Sequence, residues 1–341
     1  MGRRPAGEID RIRATLCAMV SDEFRRAGQR LVSARYIAQR FKVSYQTAHR
    51  LLNELRGDGM VIRRAGSGSF IAGQKKTLRS AVLIFARRAK RSGSFGDLLL
   101  RQLIVKMEAM DLPFEVTFGD IAPKHVPEDV YPVLWESPRL MHNLSADYRF
   151  SLALHDKPPA GIGSLFTDSI SVDDFSGGIS AGQILARHSP RRPAAIGGPA
   201  SDPRSQSRID GFRQIFPSAQ LITAGTWFFR SAVKNIAAPL SSLRADALFC
   251  CSDRLAEATL ICYQKLQIAA PAVIGFDNAP VAETLGLSTI GIPWEEVARV
   301  ATAVIKKRLD GQTEHASAIV LPPVPVMRDS VPTSPARSAI A

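Results

Sequence analysis

Four side chains in the stretch SYQTAHRLLNEL, Ser44 to Leu55, have the types and spacing for nucleic-acid chemistry. On a helix, Ala48, Leu51, Leu52 and Leu55 share one side, and Gln46, His49, Arg50 and Asn53 share the other. That outer row is an amide, an imidazole, a guanidinium and a second amide, groups that donate to or accept from base edges. It holds no carboxylate, whereas a solvated helix face ordinarily mixes charges of both signs. Such a row suits an anionic partner.

The charge of the chain agrees and is unevenly placed. The whole carries 44 Lys+Arg against 31 Asp+Glu, a net of +13. Residues 1–76 hold 16 basic and 6 acidic side chains, and the remaining residues hold 28 and 25. A basic head on a nearly neutral body implies a polyanion-binding module joined to something with another task. The head lacks the broad aromatic or leucine face of a membrane-surface helix, so duplex nucleic acid is the expected partner and a membrane is not.

Other chemistries find little support. No Gly-x-Gly-x-x-Gly follows an expected strand, and there is no GxxxxGK[ST], HExxH or GxSxG motif, so an enzyme is not expected. The four cysteines, Cys17, Cys250, Cys251 and Cys262, form neither a CxxC pair nor a disulfide-dense pattern. Cys250 and Cys251 end the apolar run ALFCC as small buried residues of a reducing compartment. Neither a metal nor any other cofactor is expected. The first residues, MGRRPAGEID, lack the apolar core of a signal peptide, and no stretch approaches a membrane-spanning length, so a cytoplasmic protein is expected.

The elements that would position the outer row follow from periodicity and punctuation. Ile9, Ile12, Leu16, Met19 and Phe24 mark an amphipathic helix closed by Gly28. Ser33 caps a short helix with Ile37, Ala38 and Phe41 inside, and Ser44 caps the third helix. Two short strands, MVIRR and SFIAG, flank Ala65-Gly66-Ser67-Gly68. Three helices closed by a hairpin make a winged helix-turn-helix over residues 1–73, followed by a linker at 74–79.

The run LVSARYIAQRFKVSYQTAHRLLNELRGDGMVIRRAGSGSFIAG resembles the DNA-binding domain of the GntR family of bacterial transcription regulators. The resemblance covers roughly residues 10–73. It implies that Arg35, Tyr45, Gln46 and His49 face base edges, and that Ser33, Ser44, Thr47 and Arg50 lie near phosphates. It places Gly66, Ser67 and Gly68 at the minor groove. Tyr45 and His49 stand where arginine is common in that family, so the bidentate reading of guanine is lost and a different base sequence is expected. Tyr45 packed against the hairpin and His49 merely solvated are the alternatives.

Beyond the linker, the apolar runs 81–86, 114–118, 150–154, 169–172, 193–198, 247–251 and 272–276 alternate with helical patterns such as SGGISAGQILARH and RLAEATLICYQKL. That alternation predicts an α/β body of two doubly wound parallel-sheet subdomains. Residues 119–148 show no clear element. The body is assigned to 80–331 and a disordered tail to 332–341.

SVDDFSGG, RRPAAIGGP, SRIDGFR, ADALFCCSDRLAEA, AVIGFDNAP, LSTIGIPWEEVARVA and VLPPVPVMRDS occur in the order of the LacI-type regulator core, which is similar to periplasmic sugar-binding proteins. The resemblance covers residues 170–331 and is weak over 77–169. It implies a ligand in a cleft between subdomains, contacted by Arg208, Asp253 and Asp277, with Phe95 against one face of it. Carboxylates accepting from hydroxyls and a guanidinium donating in a fixed fork suit a small polar, sugar-like effector. Ser252 replaces the family's usual asparagine. Arg208 and Asp253 as a structural ion pair, and Asp277 as a turn cap, stay open beside this reading; Trp227 and Phe228 either line the cleft or fill core.

Together these readings predict a ligand-responsive repressor, acting as a homodimer on a pseudo-palindromic DNA operator. An α/β enzyme or small-molecule-binding protein with an accessory nucleic-acid-binding domain is the alternative.

Overall fold

The computed structural model of the protein describes residues 6–21, 30–64, 68–71, 78–147, 149–158, 164, 166–312 and 316–332. The chain divides into two compact units. The first takes Met1–Arg87, Arg101–Ser171 and Ala298–Ile319, and the second takes Arg88–Leu100, Val172–Val297 and Val320–Ala341.

The first unit opens with α1 (Ala6–Ser21), α2 (Ala34–Arg40) and α3 (Tyr45–Gly57). Ser33 and Ser44 cap α2 and α3, their hydroxyls accepting from the backbone N–H of Tyr36 at 3.2 Å and Thr47 at 3.1 Å. Lys42 turns the chain between these helices at φ 51°. The apolar faces meet as expected: Ile12 and Leu16, Ile37, and Ala48, Leu51, Leu52 and Leu55 form one buried cluster. Val20 completes the α1 face; Phe24 and Gly28 lie outside the described residues. β1 (Val61–Arg64) and β2 (Gly68–Ile71) pair antiparallel, Val61 opposite Ile71 and Ile62 opposite Phe70. Gly68, at φ 114°, holds a backbone conformation that disfavours any side chain. Gly66, Ser67 and residues 74–77 of the expected linker also lie outside the described residues. Arg79 is tied to Asp129, donating its backbone N–H to the Asp129 carbonyl at 2.8 Å and pairing with its carboxylate at 2.7 Å.

The rest of this unit is built on a sheet of order β13-β7-β6-β5-β3-β4. β3 (Ser80–Phe85), β4 (Phe114–Phe118), β6 (Ser151–Leu154) and β7 (Thr167–Val172) fall on the expected runs; β3 pairs in parallel with β4 and β6 with β7, and β5 joins the two pairs. The segment 119–148 carries β5 (Val130–Trp135) and α5 (Pro138–Ala146). All six residues of β5 are buried between β3 and β6. Pro132 explains why this strand is hard to read, since a proline inside an apolar run argues against a central strand. It faces Val82 on one side, and the register with β6 begins only at Val133. α4 (Phe95–Ala109) links β3 to β4.

The second sheet has the order β14-β12-β11-β10-β8-β9. β8 (Pro193–Gly197), β9 (Gln220–Thr223), β10 (Ala247–Cys250), β11 (Ala272–Asp277) and β12 (Ser288–Gly291) run parallel. β14 (Val324–Val326) pairs antiparallel with β12, and β13 (Ala318–Leu321) is the end strand of the first sheet. The connecting helices are α6 (Asp174–Ala186), α7 (Pro203–Ile215), α8 (Phe229–Ser242), α9 (Asp253–Lys265) and α10 (Pro280–Thr284). α11 (Trp294–Leu309) follows β12. The body is thus an α/β fold with two mainly parallel sheets, as the alternation predicts.

Candidate functional site

In the second unit, two contacts of helix backbones bring the charged groups together. A Cβ at Gly178 of α6 would overlap the carbonyl oxygen of Arg208, and one at Gly211 of α7 would overlap that of Phe175. Two glycines therefore let α6 and α7 approach backbone to backbone. The approach sets Asp174, first residue of α6, beside Arg208 in mid-α7, and the Arg208 Nε donates to the Asp174 carboxylate at 2.7 Å.

Arg208 is 3% exposed and held by several partners. Its Nη1 donates to the Cys251 carbonyl at 2.6 Å and to the Asp277 carboxylate at 3.0 Å, and its guanidinium lies 3.7 Å from the Phe276 ring centroid. Burial alone would depress the guanidinium pKa, but Asp174 and Asp277 push it above the ordinary arginine value. For Asp277 burial dominates and raises the carboxyl above the usual carboxylate range, with Arg208 opposing and Asp174 adding to the rise.

Asp277 sits at φ 105° and Asn278 at φ 53°, so two successive non-glycine residues end β11 in backbone regions that L side chains rarely adopt. Such conformations cost on the order of 1–3 kcal/mol each and persist where the surroundings over-determine them, often at ligand clamps. The surroundings here are specific. The Trp294 Nε1 donates to the Asp277 carbonyl at 3.2 Å, and the Arg328 Nη2 donates to the Asn278 side-chain oxygen at 2.9 Å. The ring of Phe95 meets Trp294 edge-on, with centroids 4.5 Å apart.

Asp253 occupies a different place from its expected companions. It is completely buried, and its carboxylate accepts from the Ala279 backbone N–H at 2.7 Å and the Thr289 hydroxyl at 2.7 Å. Arg208 pairs with Asp174 and Asp277 rather than with Asp253, so the structural ion pair considered from the sequence does not form. Asp253 ties the strained Asp277-Asn278 turn to β12, and with no exposed surface it offers nothing to a ligand in this conformation. Burial, reinforced by Asp277, pushes its carboxyl well above the usual carboxylate range. Ser252 caps α9, its hydroxyl accepting from the Leu255 N–H at 3.2 Å.

A second polar group lies at the start of α7. The Asp202 carboxylate takes Arg204 through both oxygens, at 3.0 and 2.7 Å, and accepts from the Trp227 Nε1 at 2.9 Å. Burial pushes against ionisation there, yet these donors hold the Asp202 carboxyl below the usual carboxylate range. Trp227 is half-buried, while Phe228 is 49% exposed with the Arg91 guanidinium 5.3 Å from its ring centroid. Asp174, Asp202 and Trp294 carried no signal of their own in the sequence, since each owes its place to a partner distant in the chain.

In the head, Ser33, Arg35, Ser44, Gln46 and Arg50 are exposed, and Thr47 and His49 are half-buried. Tyr45, 53% exposed, sets its ring 6.1 Å from that of His49. The side chains of Asn53 and His49 are hydrogen bonded at 3.2 Å. Arg50 lies 3.5 Å from Glu54. An exposed pair of that kind is worth about 0–1 kcal/mol, so a phosphate can take the guanidinium over. Among the described residues no group of three or more His, Cys, Asp or Glu is placed to hold a metal, and no helix is long and apolar enough to cross a membrane.

Comparison with known proteins places this geometry. Residues 183–331 match the periplasmic binding protein-like domain family. The ribose operon repressor of Haemophilus influenzae is 27% identical over 179 residues, which is 49% of this chain and 54% of that protein. The transcriptional repressor PurR of Serratia proteamaculans is 30% identical over 182 residues, 50% of this chain and 53% of that one. The chain thus spans about half the length of the curated relatives it matches. Among solved structures, a LacI family transcriptional regulator of Enterococcus faecalis with bound ribose has a TM-score of 0.63 at 17% identity, covering 74% of this chain and 98% of that one. A transcriptional regulator CelR-cellobiose complex has a TM-score of 0.63 at 17% identity, covering 96% of this chain and all of that one. The body of this chain is a periplasmic-binding-protein-like fold of the kind found in LacI-family transcription regulators.

Proposed function

We propose that the protein is a transcription regulator, most simply a cytoplasmic repressor, whose affinity for DNA is set by a small polar effector of the sugar class. The observation that carries this reading is the joining, on one chain, of a helix with a largely exposed carboxylate-free row to a body in which buried Arg208 pairs with Asp277 at the strained end of β11. The relatives named above are a ribose operon repressor, the transcriptional repressor PurR and regulators solved with ribose or cellobiose, which supports the same reading.

In this reading the head is a winged helix-turn-helix of GntR type. Tyr45, Gln46, His49 and Arg35 face base edges, Ser33, Ser44, Thr47 and Arg50 face phosphates, and the hairpin tip at Gly66, Ser67 and Gly68 faces the minor groove. Support comes from the two serine caps, the exposed row on α3 and the antiparallel pairing of Val61–Arg64 with Gly68–Ile71. One such head makes few contacts, so a homodimer on a two-fold site is expected. In the body, Arg208 and Asp277 bind the effector, Phe95 and Trp294 line it, and Asp253 holds the Asp277 turn. An effector's hydroxyls would replace the Arg208–Asp277 hydrogen bond, so binding alters the turn that Trp294 and Asp253 fix.

A thermal-unfolding screen of the full chain against neutral sugars and polyols tests the effector half. At least one compound is expected to raise the midpoint of the wild-type chain and to leave the Asp277→Asn variant unmoved. A compound that stabilises both equally contradicts the site.

A further inference from the structure

The hairpin of the head has two apolar faces, and a free winged head needs only one. Side chains alternate along β1 and β2, so the pair Val61–Ile71 points to one side and the neighbouring pair Ile62–Phe70 to the other. Val61 and Ile71 enter the core formed by α1, α2 and α3. On a head standing alone, Ile62 and Phe70 would face water. Instead they are 2% and 8% exposed, in a separate cluster with Phe166 and Phe150 from the sheet-bearing part of the same unit. The rings of Phe150 and Phe166 have centroids 5.3 Å apart.

Beneath that seat lies a buried ionic group. The Arg308 guanidinium is 4.2 Å from the Phe150 ring centroid. Its Nε and Nη2 donate to the two oxygens of Asp168 at 2.8 and 2.9 Å, and the same carboxylate accepts from the Tyr131 hydroxyl at 2.6 Å and the Ser317 N–H at 2.8 Å. A carboxylate with four donors is fixed in place, so the guanidinium, and the phenyl ring above it, are fixed too. Arg308 lies in the last turn of α11.

We propose that Phe150 and Phe166, braced by Arg308, form a docking seat for the outer face of the hairpin, so that the body rather than a loose tether sets the position of the head's hairpin. The regulatory consequence rests on the proposed DNA-binding function; the seat itself does not.

The test is hydrogen exchange of the full chain without DNA, comparing wild type with Phe150→Ala and, from the head side, with Phe70→Ser and Phe70→Leu. Phe150→Ala and Phe70→Ser are expected to speed exchange of the β1 and β2 amides by about tenfold or more while α3 amides stay protected, and Phe70→Leu is expected to keep most of the protection. Hairpin amides that exchange at the wild-type rate in both Phe150→Ala and Phe70→Ser overturn the seat. If Phe150→Ala fails to fold, the two Phe70 variants decide the matter, because they leave the body untouched. A wild-type chain that protects its hairpin but never binds duplex DNA would instead overturn the proposed function and leave the seat standing.

Discussion

Arg50 and Asp253 show how ionisable side chains do different work according to their exposure. Arg50, itself exposed, is paired with Glu54 on the helix surface, and in the proposed reading it meets phosphate. Replacing it with alanine is expected to weaken binding to all duplexes alike and to reduce the slope of log affinity against log salt by about one. Salt titration by fluorescence anisotropy measures this, and an unchanged slope removes Arg50 from the phosphate contacts. Asp253 is the reverse case, a carboxyl kept from water whose pKa is raised by burial and by Asp277. The folded state therefore holds a proton that the unfolded chain gives up in the ordinary carboxylate range. Stability contributed by Asp253 is complete below that range and is lost as pH rises toward its raised folded value. Thermal midpoints recorded from acid to neutral pH should fall less steeply in Asp253→Asn than in wild type; parallel curves would show that Asp253 does not titrate in that window.

At the scale of elements, the pairing of α6 with α7 decides where Arg208 points. Gly178→Ala would place a methyl group against the Arg208 carbonyl and the Phe212 N–H, both backbone. Overpacking of this kind costs about 1–3 kcal/mol or more, because helices rather than rotamers must shift. The variant is expected to unfold at lower temperature and to lose effector binding even though glycine touches no ligand; a wild-type midpoint and response would mean that the helices have slack. This contact also marks what the sequence could disclose. SRIDGFR and AVIGFDNAP pointed to Arg208 and Asp277, which do meet. Asp174 could not be picked out, since its role depends on glycines 178 and 211 closing two helices. Strands with continuous apolar runs were legible, whereas β5 was masked by Pro132, and β9 and β12 by their polar composition (QLIT and STIG). Asp253 was recognised by its motif and assigned to the ligand, yet burial makes it a holder of the neighbouring turn.

At the scale of the molecule, a basic head meets the first sheet of the body through a buried aromatic contact. A basic head and a nearly neutral body were visible in composition, as were the two parallel sheets. The contact was not, because Ile62 and Phe70 look like ordinary strand residues until their register shows them facing away from the head's own core. The measurement that tests the central claim most directly is the affinity of the full chain for a duplex selected from a random pool, with and without a sugar that raises its thermal midpoint. Coupling of about 1–3 kcal/mol predicts a change of roughly 5- to 150-fold in wild type and none in Asp277→Asn. Equal affinities with and without that sugar in wild type would contradict it.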